Sequence, residues 1–109
     1  MRRPGKAAGG TTTGRPIMVL LDVLGQRWTL RILWELRERR CTFRELRSRC
    51  EEVSPTVLNR RLKELRGLGI LDHDRQGYGL TEAGRELGEH LMQLSDWSER
   101  WSEALRPNR

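Results

Sequence analysis

Apolar residues recur along the chain at spacings that predict several helices. The first covers Ile17–Leu24, which is apolar at every position except Asp22, so a helix here must be covered on nearly all sides. The second, over Arg27–Arg39, has an apolar stripe wider than half of its circumference, which predicts a central helix with several neighbours. A third helix begins at Thr42, because Thr42 and Glu45 have the spacing of a capping box.

The fourth predicted helix, Ser54–Arg66, has a clear two-sided pattern. Ser54 is a favourable N-cap, Pro55 suits the first helical position, and Gly67 or Gly69 ends the helix. The apolar stripe, predicted to be buried, consists of Leu58, Leu62 and Leu65. The face most remote from that stripe carries polar and basic side chains, namely Thr56, Asn59, Arg60 and Lys63.

The remaining sequence predicts a hairpin and a long helix. Two short strands, Ile70–Arg75 and Tyr78–Leu80, flank a Gln-Gly turn. Thr81 is predicted to cap a last helix that reaches about Leu105. The predicted fold class is therefore mainly α with a small β-hairpin, in one domain over residues 16–109.

Residues 1–15 are predicted to be a disordered basic tail, because they are rich in Gly and Thr and carry four basic charges without an acid. No apolar segment follows the arginines, so this tail does not have the pattern of a signal peptide. The longest apolar run, Ile17–Leu21, is far too short to span a membrane. These features predict a soluble protein.

Cysteine and histidine usage predicts a reducing compartment and no metal. Cys41 and Cys50 are too few for a disulfide framework, which favours the cytoplasm. Neither His73 nor His90 lies at a metal-ligand spacing from them, so no zinc site or other cofactor is predicted. Both thiols are predicted to be structural, Cys41 in a short extended segment and Cys50 beneath the third helix. A thiol switch is the minor alternative.

The net charge of +6 is distributed unevenly along the chain. Residues 1–15, 16–40 and 41–69 carry +4, +2 and +3, whereas residues 70–80 and 81–109 carry −1 and −2. This asymmetry predicts one face for a polyanion and another face for a different partner. Only two of the 21 basic residues are lysines, and arginine can bind phosphate and guanine with two hydrogen bonds at once. A genome that favours arginine codons explains this preference equally well.

Two helices joined by a short turn, the second with a basic outer face, are typical of a helix-turn-helix. In the DNA major groove Asn pairs with adenine and Arg with guanine, while Ser and Thr reach phosphates or thymine methyl groups. The free N–H groups of Thr56 and Val57 in the first turn add a phosphate site. The residues predicted to contact DNA are Ser54, Thr56, Asn59, Arg60, Lys63, Thr42, Arg44 and Arg75. Arg44, like Arg47, either reaches phosphates or only solvates the third helix.

An ordered series of motifs between about Ile17 and Trp101 resembles the HxlR-type winged helix-turn-helix regulators, which share their architecture with the MarR group. The motifs are Gly25-x-x-Trp28-Thr29, Phe43-x-x-Leu46, Ser54-x-x-x-Leu58-x-x-x-Leu62-x-x-Leu65, Gly69-Ile70, Tyr78-x-Leu80-Thr81-x-x-Gly84 and Trp97. The resemblance implies a bacterial, cytoplasmic, homodimeric transcription regulator that binds double-stranded DNA at an inverted-repeat operator. It also implies that Ser54–Arg66 is the recognition helix and that the hairpin is the wing.

The chain departs from this family in two places. Members of the family usually have a longer wing with a proline and a basic residue near its start, whereas this hairpin begins with Asp72, His73 and Asp74 and has Arg75 as its cation. Two aspartates beside phosphates would be repulsive, which argues against minor-groove contacts by the wing. Some members also sense redox state through a cysteine near the start of the first helix, where this chain has none.

The last helix has an apolar stripe with two tryptophans, and its predicted length exceeds the radius of a domain of this size. We predict a dimer interface built from this helix and the first one, through Ile17, Leu20, Leu91, Leu94, Trp97 and Trp101. The alternatives are a helix folded back on its own core, or a pocket for a planar small-molecule effector bordered by Trp34, Trp97 and Trp101. His90 is predicted to lie at the interface or the core edge.

The sequence contains no nucleophile–base pair, no glycine-rich phosphate loop and no carboxylate pair in a predicted pocket, so no enzyme is predicted. The favoured function is a sequence-specific DNA-binding transcription regulator. One alternative is a protein-interaction module that contacts its partner through the acidic last helix. The other is a nonspecific DNA-binding protein, whose binding would depend on salt but not on sequence.

Overall fold

The computed structural model describes residues 15–107, which form five helices and one antiparallel hairpin. The elements are α1 (Pro16–Leu24), α2 (Thr29–Glu35), α3 (Phe43–Arg49), α4 (Pro55–Gly67), β1 (Leu71–Asp74), β2 (Gly77–Leu80) and α5 (Glu82–Leu105). The predicted fold class, mainly α with a small hairpin, is confirmed. The predicted basic tail lies outside the described residues except for Arg15, so the division into tail and domain stays a prediction.

The helices begin where the sequence supplies capping side chains. The Thr42 hydroxyl accepts a hydrogen bond from the Glu45 N–H at 3.1 Å, and the Glu45 carboxylate accepts one from the Thr42 N–H at 2.8 Å. This pair is the predicted capping box of α3. Thr81 caps α5 through its hydroxyl, which accepts a hydrogen bond from the Gly84 N–H at 3.0 Å.

The second helix is shorter than the sequence predicted. Instead of covering Arg27–Arg39, it begins after Trp28, whose backbone lies in the left-handed region at φ 79°, and it ends at Glu35. The chain then turns so that Cys41 pairs with Tyr78 of β2, with N–H to oxygen distances of 3.0 and 2.7 Å. The Cys41 segment thus lies beside the hairpin like a third strand. To reach this pairing the chain leaves the helical path after Glu35, so α2 lacks the last turn that the sequence predicted.

A single core lies beneath α4, where four α-helices, the Cys41 segment and the hairpin meet. Its largest fully buried side chains include Ile32, Leu46, Leu58, Leu62 and Leu65. Cys50 belongs to this core, as predicted, and Cys41, in its short extended segment, is also buried there. The leucine stripe of α4 is therefore turned inward, which fixes the opposite side of that helix toward solvent.

The turn between α3 and α4 has an unusual backbone. Glu51 and Glu52 both have φ of 59°, in the left-handed region that only glycine adopts freely. Two arginines hold the turn: Arg47 donates to the Val53 carbonyl at 2.8 Å, and Arg31 lies 3.4 Å from the Glu51 carboxylate. These contacts stabilise the turn that sets α4 at its angle to α3.

The long helix α5 is attached to the fold through a close backbone contact at Gly84 and through Leu87 and Leu91, which pack against the core. Gly84 is buried, and a Cβ atom on it would collide with the carbonyl oxygen of Ile70. The Thr81 hydroxyl donates to the neighbouring Gly69 carbonyl at 2.6 Å. Farther along α5, Gly88 has open space around it. None of the helices in the described part of the chain has the length and apolar character needed to cross a membrane.

Replacing Gly84 by Ala is expected to destabilise the fold, because the added methyl group meets backbone that cannot rotate away. We expect a loss of about 1–3 kcal/mol in the free energy of unfolding, measured by urea denaturation. The matched change Gly88→Ala, in the same helix but in open space, is expected to stabilise by up to about 1 kcal/mol through helix propensity. Equal effects of the two substitutions would contradict the close contact between α5 and Ile70.

Candidate nucleic-acid interface

The outer face of α4 is polar and exposed to solvent. Thr56, Asn59, Arg60 and Lys63 are all exposed, while the leucines on the opposite side are at most 1% exposed. Within residues 15–107, no ion pair or side-chain hydrogen bond engages any of the four. Their donors are therefore available to a ligand, and a helix that presents its own unpaired donors has the chemistry needed to contact bases and phosphates.

The N-terminal end of α4 differs in one detail from the sequence prediction. The Ser54 hydroxyl accepts a hydrogen bond from the Val57 N–H at 3.4 Å, so this N–H is not free to bind phosphate. The N–H of Thr56 remains, and the exposed Ser54 hydroxyl still has its own proton to donate. The predicted phosphate site is therefore smaller than the sequence suggested.

The start of α3 brings two more of the predicted residues to the surface. Thr42 and Arg44 are exposed, and Arg44 makes no ion pair with another described residue. Arg47 is different, because it donates to the Val53 carbonyl and lies 3.5 Å from the Glu52 carboxylate. Arg44 stays a candidate for phosphate contact, whereas Arg47 holds the turn between the two helices.

Arg61 is a structural arginine that the sequence reasoning missed. Only 8% of this residue is exposed; its Nε donates to the Arg27 carbonyl oxygen at 2.8 Å, and its Nη1 lies 3.4 Å from the Glu64 carboxylate. Its place three residues after Leu58 puts it at the edge of the buried stripe, and this spacing was the available signal. Arg61 connects α4 to the segment between α1 and α2.

The two hairpin aspartates, from which the sequence led us to expect repulsion of phosphates, are paired with an arginine. The Arg40 guanidinium donates to Asp72 Oδ1 at 2.6 Å and to Asp74 Oδ1 at 3.1 Å. It also donates to the Gly77 carbonyl at 2.8 Å. The hydrogen bond to Asp72 is the main reason that the pKa of Arg40 is raised above its ordinary value. Arg75, at the turn of the hairpin, is exposed.

Apolar side chains are exposed on α1 and along the outer half of α5. Of the six residues predicted for a dimer interface, Ile17, Leu94, Trp97 and Trp101 are between 51% and 58% exposed. The other two, Leu20 and Leu91, are half-buried and pack against the core of their own chain. The two tryptophan rings stack on each other with centroids 5.8 Å apart. His90 is exposed on the same helix.

A groove of about 760 Å³ lies between α2 and α5, but it is not the pocket that the sequence suggested. Of the three tryptophans proposed to border an effector pocket, Trp34 lines the groove and Trp97 and Trp101 do not. The Trp34 ring is covered by the Arg37 guanidinium at 3.6 Å from its centroid. Leu94 and Ser98 of α5 line the groove, whereas Trp97 and Trp101 lie on a neighbouring side of the helix and do not border it.

The two cysteines are poor candidates for a thiol switch. Cys41 and Cys50 are fully buried, and this burial raises the pKa of both thiols. A thiol with a raised pKa stays protonated at neutral pH, and the protonated form is the less reactive one. Both cysteines therefore act in this fold as small core residues.

Comparisons with known proteins agree on the architecture. The family model described as HxlR-like helix-turn-helix matches residues 23–106. The HTH-type transcriptional regulator YvaP of Bacillus subtilis is 32% identical over 88 residues, which cover 74% of this chain and 82% of YvaP. The structure of quinone-bound YodB from B. subtilis is similar with a TM-score of 0.73 and 27% identity, covering 77% of this chain and 96% of YodB. A possible HxlR family transcriptional factor from Thermoplasma volcanium is similar with a TM-score of 0.68 and 29% identity, covering 82% and 86% of the two chains.

The buried and exposed arginines of α4 are expected to respond differently to the same substitution. Arg61→Met keeps the length of the stem but removes the donor to the Arg27 carbonyl, so we expect a loss of about 1.5–3 kcal/mol in unfolding free energy. Arg60→Met, on the exposed face, is expected to change stability by less than about 0.5 kcal/mol. Chemical denaturation followed by circular dichroism measures both. A stable Arg61→Met variant would show that this contact does not hold α4.

Proposed function

Because this chain belongs to the HxlR-like helix-turn-helix family of DNA-binding transcription regulators, we propose that it acts as a homodimer that reads an inverted-repeat operator with α4, in the cytoplasm where its DNA lies. The observation that carries the proposal is the outer face of α4, whose four polar side chains are exposed and unpaired within the described chain. No catalytic step is part of the proposal, since these side chains are hydrogen-bond donors and acceptors suited to bases and phosphates.

Each side chain on this face has a DNA group that suits it. An α-helix fits the major groove, where the Asn59 amide can pair with adenine and the Arg60 guanidinium with guanine. Thr56 and Lys63 suit phosphates on either side of the groove, and Lys63 contributes a charge without directional preference. The exposed residues around them, Ser54, Thr42, Arg44 and Arg75, complete the proposed contact surface.

The proposed dimer rests on apolar surface that one chain leaves uncovered. Past Leu91, every large apolar side chain of α5 is between 43% and 63% exposed. The radius of gyration, 15.4 Å, exceeds the ~12 Å expected for a compact chain of this size, because α5 reaches about 36 Å from end to end. Exposed apolar residues on α1 continue this surface. A second copy of the chain would cover both helices and place two α4 helices on one duplex.

Substitutions on the outer face of α4 are expected to abolish sequence preference without unfolding the protein. Selection of duplexes from a random pool should enrich an inverted repeat with half-sites roughly 34–36 Å apart. Against that duplex, Asn59→Ala and Arg60→Ala should each weaken binding by about 1–3 kcal/mol, measured by fluorescence anisotropy. Lys63→Ala should weaken binding to all sequences alike. It should also lower the slope of the logarithm of the binding constant against the logarithm of salt concentration by about the value for one phosphate contact.

The control for these variants is Arg106→Ala, which removes the same charge at the C-terminal end of α5, far along the chain from α4. It should leave the sequence preference unchanged. Binding without any enriched motif would favour a nonspecific DNA-binding protein. Retention of a protein partner together with no DNA binding would favour an interaction module instead.

Removing the exposed tryptophans of α5 is expected to weaken self-association. Trp97→Ala and Trp101→Ala each remove a large apolar side chain from the proposed interface, and a central residue of this kind contributes about 2 kcal/mol or more. The dissociation constant of the dimer should rise about 30-fold or more in sedimentation experiments. Glu99→Ala is the matched control, since Glu99 lies between them in sequence but on the other side of the helix. A wild-type protein that is monomeric at micromolar concentration would contradict the dimer.

A further inference from the structure

The two faces of the hairpin are built from different residues. Paired residues on neighbouring strands share a face, and the register pairs Asp72 with Gly79 and Asp74 with Gly77. One face therefore has carboxylates on β1 and only hydrogen atoms on β2. The other face carries the pair His73 and Tyr78, whose rings stack at 4.2 Å.

The Arg40 side chain lies across the face that the two glycines leave open. A Cβ atom on Gly79 would collide with the guanidinium and approach the stem of Arg40 to 3.0 Å at Cγ. The guanidinium then reaches Asp72 at 2.6 Å and Asp74 at 3.1 Å, so one cation holds both carboxylates. Arg40 comes from the segment after α2 and is 27% exposed in its side chain, whereas each aspartate side chain is 55% exposed. This arrangement joins residues that are 32 and 34 positions apart in sequence.

The hairpin is close to any duplex that α4 binds. β1 begins four residues after α4 ends, and the two elements are in contact. On a duplex bound by α4, charges on the hairpin would therefore act on nearby phosphates, because charge interactions extend over about the Debye length, ~8 Å at 0.15 M salt. Unpaired, Asp72 and Asp74 would repel those phosphates. Arg40 compensates one of these two negative charges. Arg75, at the turn, is the cation of the hairpin that has no acidic partner in the described part of the chain.

We propose that Arg40 is a positioning residue that screens the two wing aspartates from DNA, so that the hairpin approaches the phosphate backbone with Arg75. The proposal rests on the proposed function of α4 as the DNA-reading helix. Arg40 itself does not touch DNA in this arrangement; it acts through Asp72 and Asp74. The short acidic wing thereby becomes compatible with DNA by an internal ion pair instead of by added basic residues.

The test is a set of variants measured on one duplex over a range of salt concentrations. Arg40→Ala leaves two carboxylates uncompensated, and we expect about five-fold weaker binding at low salt, with the difference shrinking as salt rises. The double variant Asp72→Asn with Asp74→Asn should bind more tightly than wild type. When Arg40→Ala is added to this double variant, repulsion should not weaken DNA binding, because neither of the two side chains still carries a negative charge.

Gly79→Ala tests whether the position of the Arg40 charge affects DNA binding when the net charge of the protein is unchanged. It leaves every charge in the chain but pushes the guanidinium away from the aspartates, and the colliding atoms belong to a flexible side chain, so the fold is expected to persist. Its binding should weaken in the same salt-dependent manner as that of Arg40→Ala. Melting curves of all variants check that the hairpin remains folded.

Two outcomes would overturn the proposal. An equal loss from Arg40→Ala with and without the aspartates would mean that Arg40 contacts DNA directly or only supports the hairpin. No loss at all would mean that the wing is remote from DNA. Both results are independent of sequence preference, which is tested by Asn59 and Arg60, so failure of the screening model is distinguishable from failure of operator reading.

Discussion

The burial of one leucine stripe on α4 determines how the proposed interface is presented. Leu58, Leu62 and Leu65 are at most 1% exposed, and each contributes about 1.5–3 kcal/mol by leaving water. Because a helix is rigid, fixing one side of it fixes the other, and the polar face of α4 has no freedom to turn inward. Arg61 adds a directional contact to this apolar anchoring. The hydrogen bond to the Arg27 carbonyl limits rotation of α4 about its own axis.

Some arginines of this chain are engaged in contacts within the fold and others are exposed without an ion pair in the described residues, and the net charge counts both kinds alike. Several of them hold loops and strands together through carbonyl or carboxylate contacts, among them Arg31, Arg40, Arg47 and Arg61. Others, such as Arg44, Arg60 and Arg75, are exposed without an ion pair in the described residues. A count of basic residues therefore overstates the positive charge available to DNA. The exposed outer face of α4 is the better guide to the binding surface.

Sequence reasoning located the features that depend on neighbours along the chain. The starts of α3, α4 and α5 follow from capping residues, and the buried and exposed sides of α4 follow from helical periodicity. It failed where distant segments meet. The end of α2 depends on the pairing of Cys41 with Tyr78, and the state of Asp72 depends on Arg40, 32 positions earlier. Nothing local to Asp72 indicates this partner, which is why the repulsion expected from the sequence took no account of Arg40.

The first half of α5 is fixed to the fold by Gly84, which touches the Ile70 carbonyl, and by Leu87 and Leu91, which pack against the core. About 21 Å of helix extends from Leu91 to Leu105, and the hairpin and α4 lie on the other side of these contacts. A tilt of ~5° at Leu91 displaces the far end of α5 by about 2 Å, about half of the rise of one base pair. In the proposed dimer, the far ends are joined and the tilt appears instead as a change in the distance between the two α4 helices. For such a dimer, the half-site spacings that it accepts would be set by how rigidly Leu87 and Leu91 hold α5 against the core.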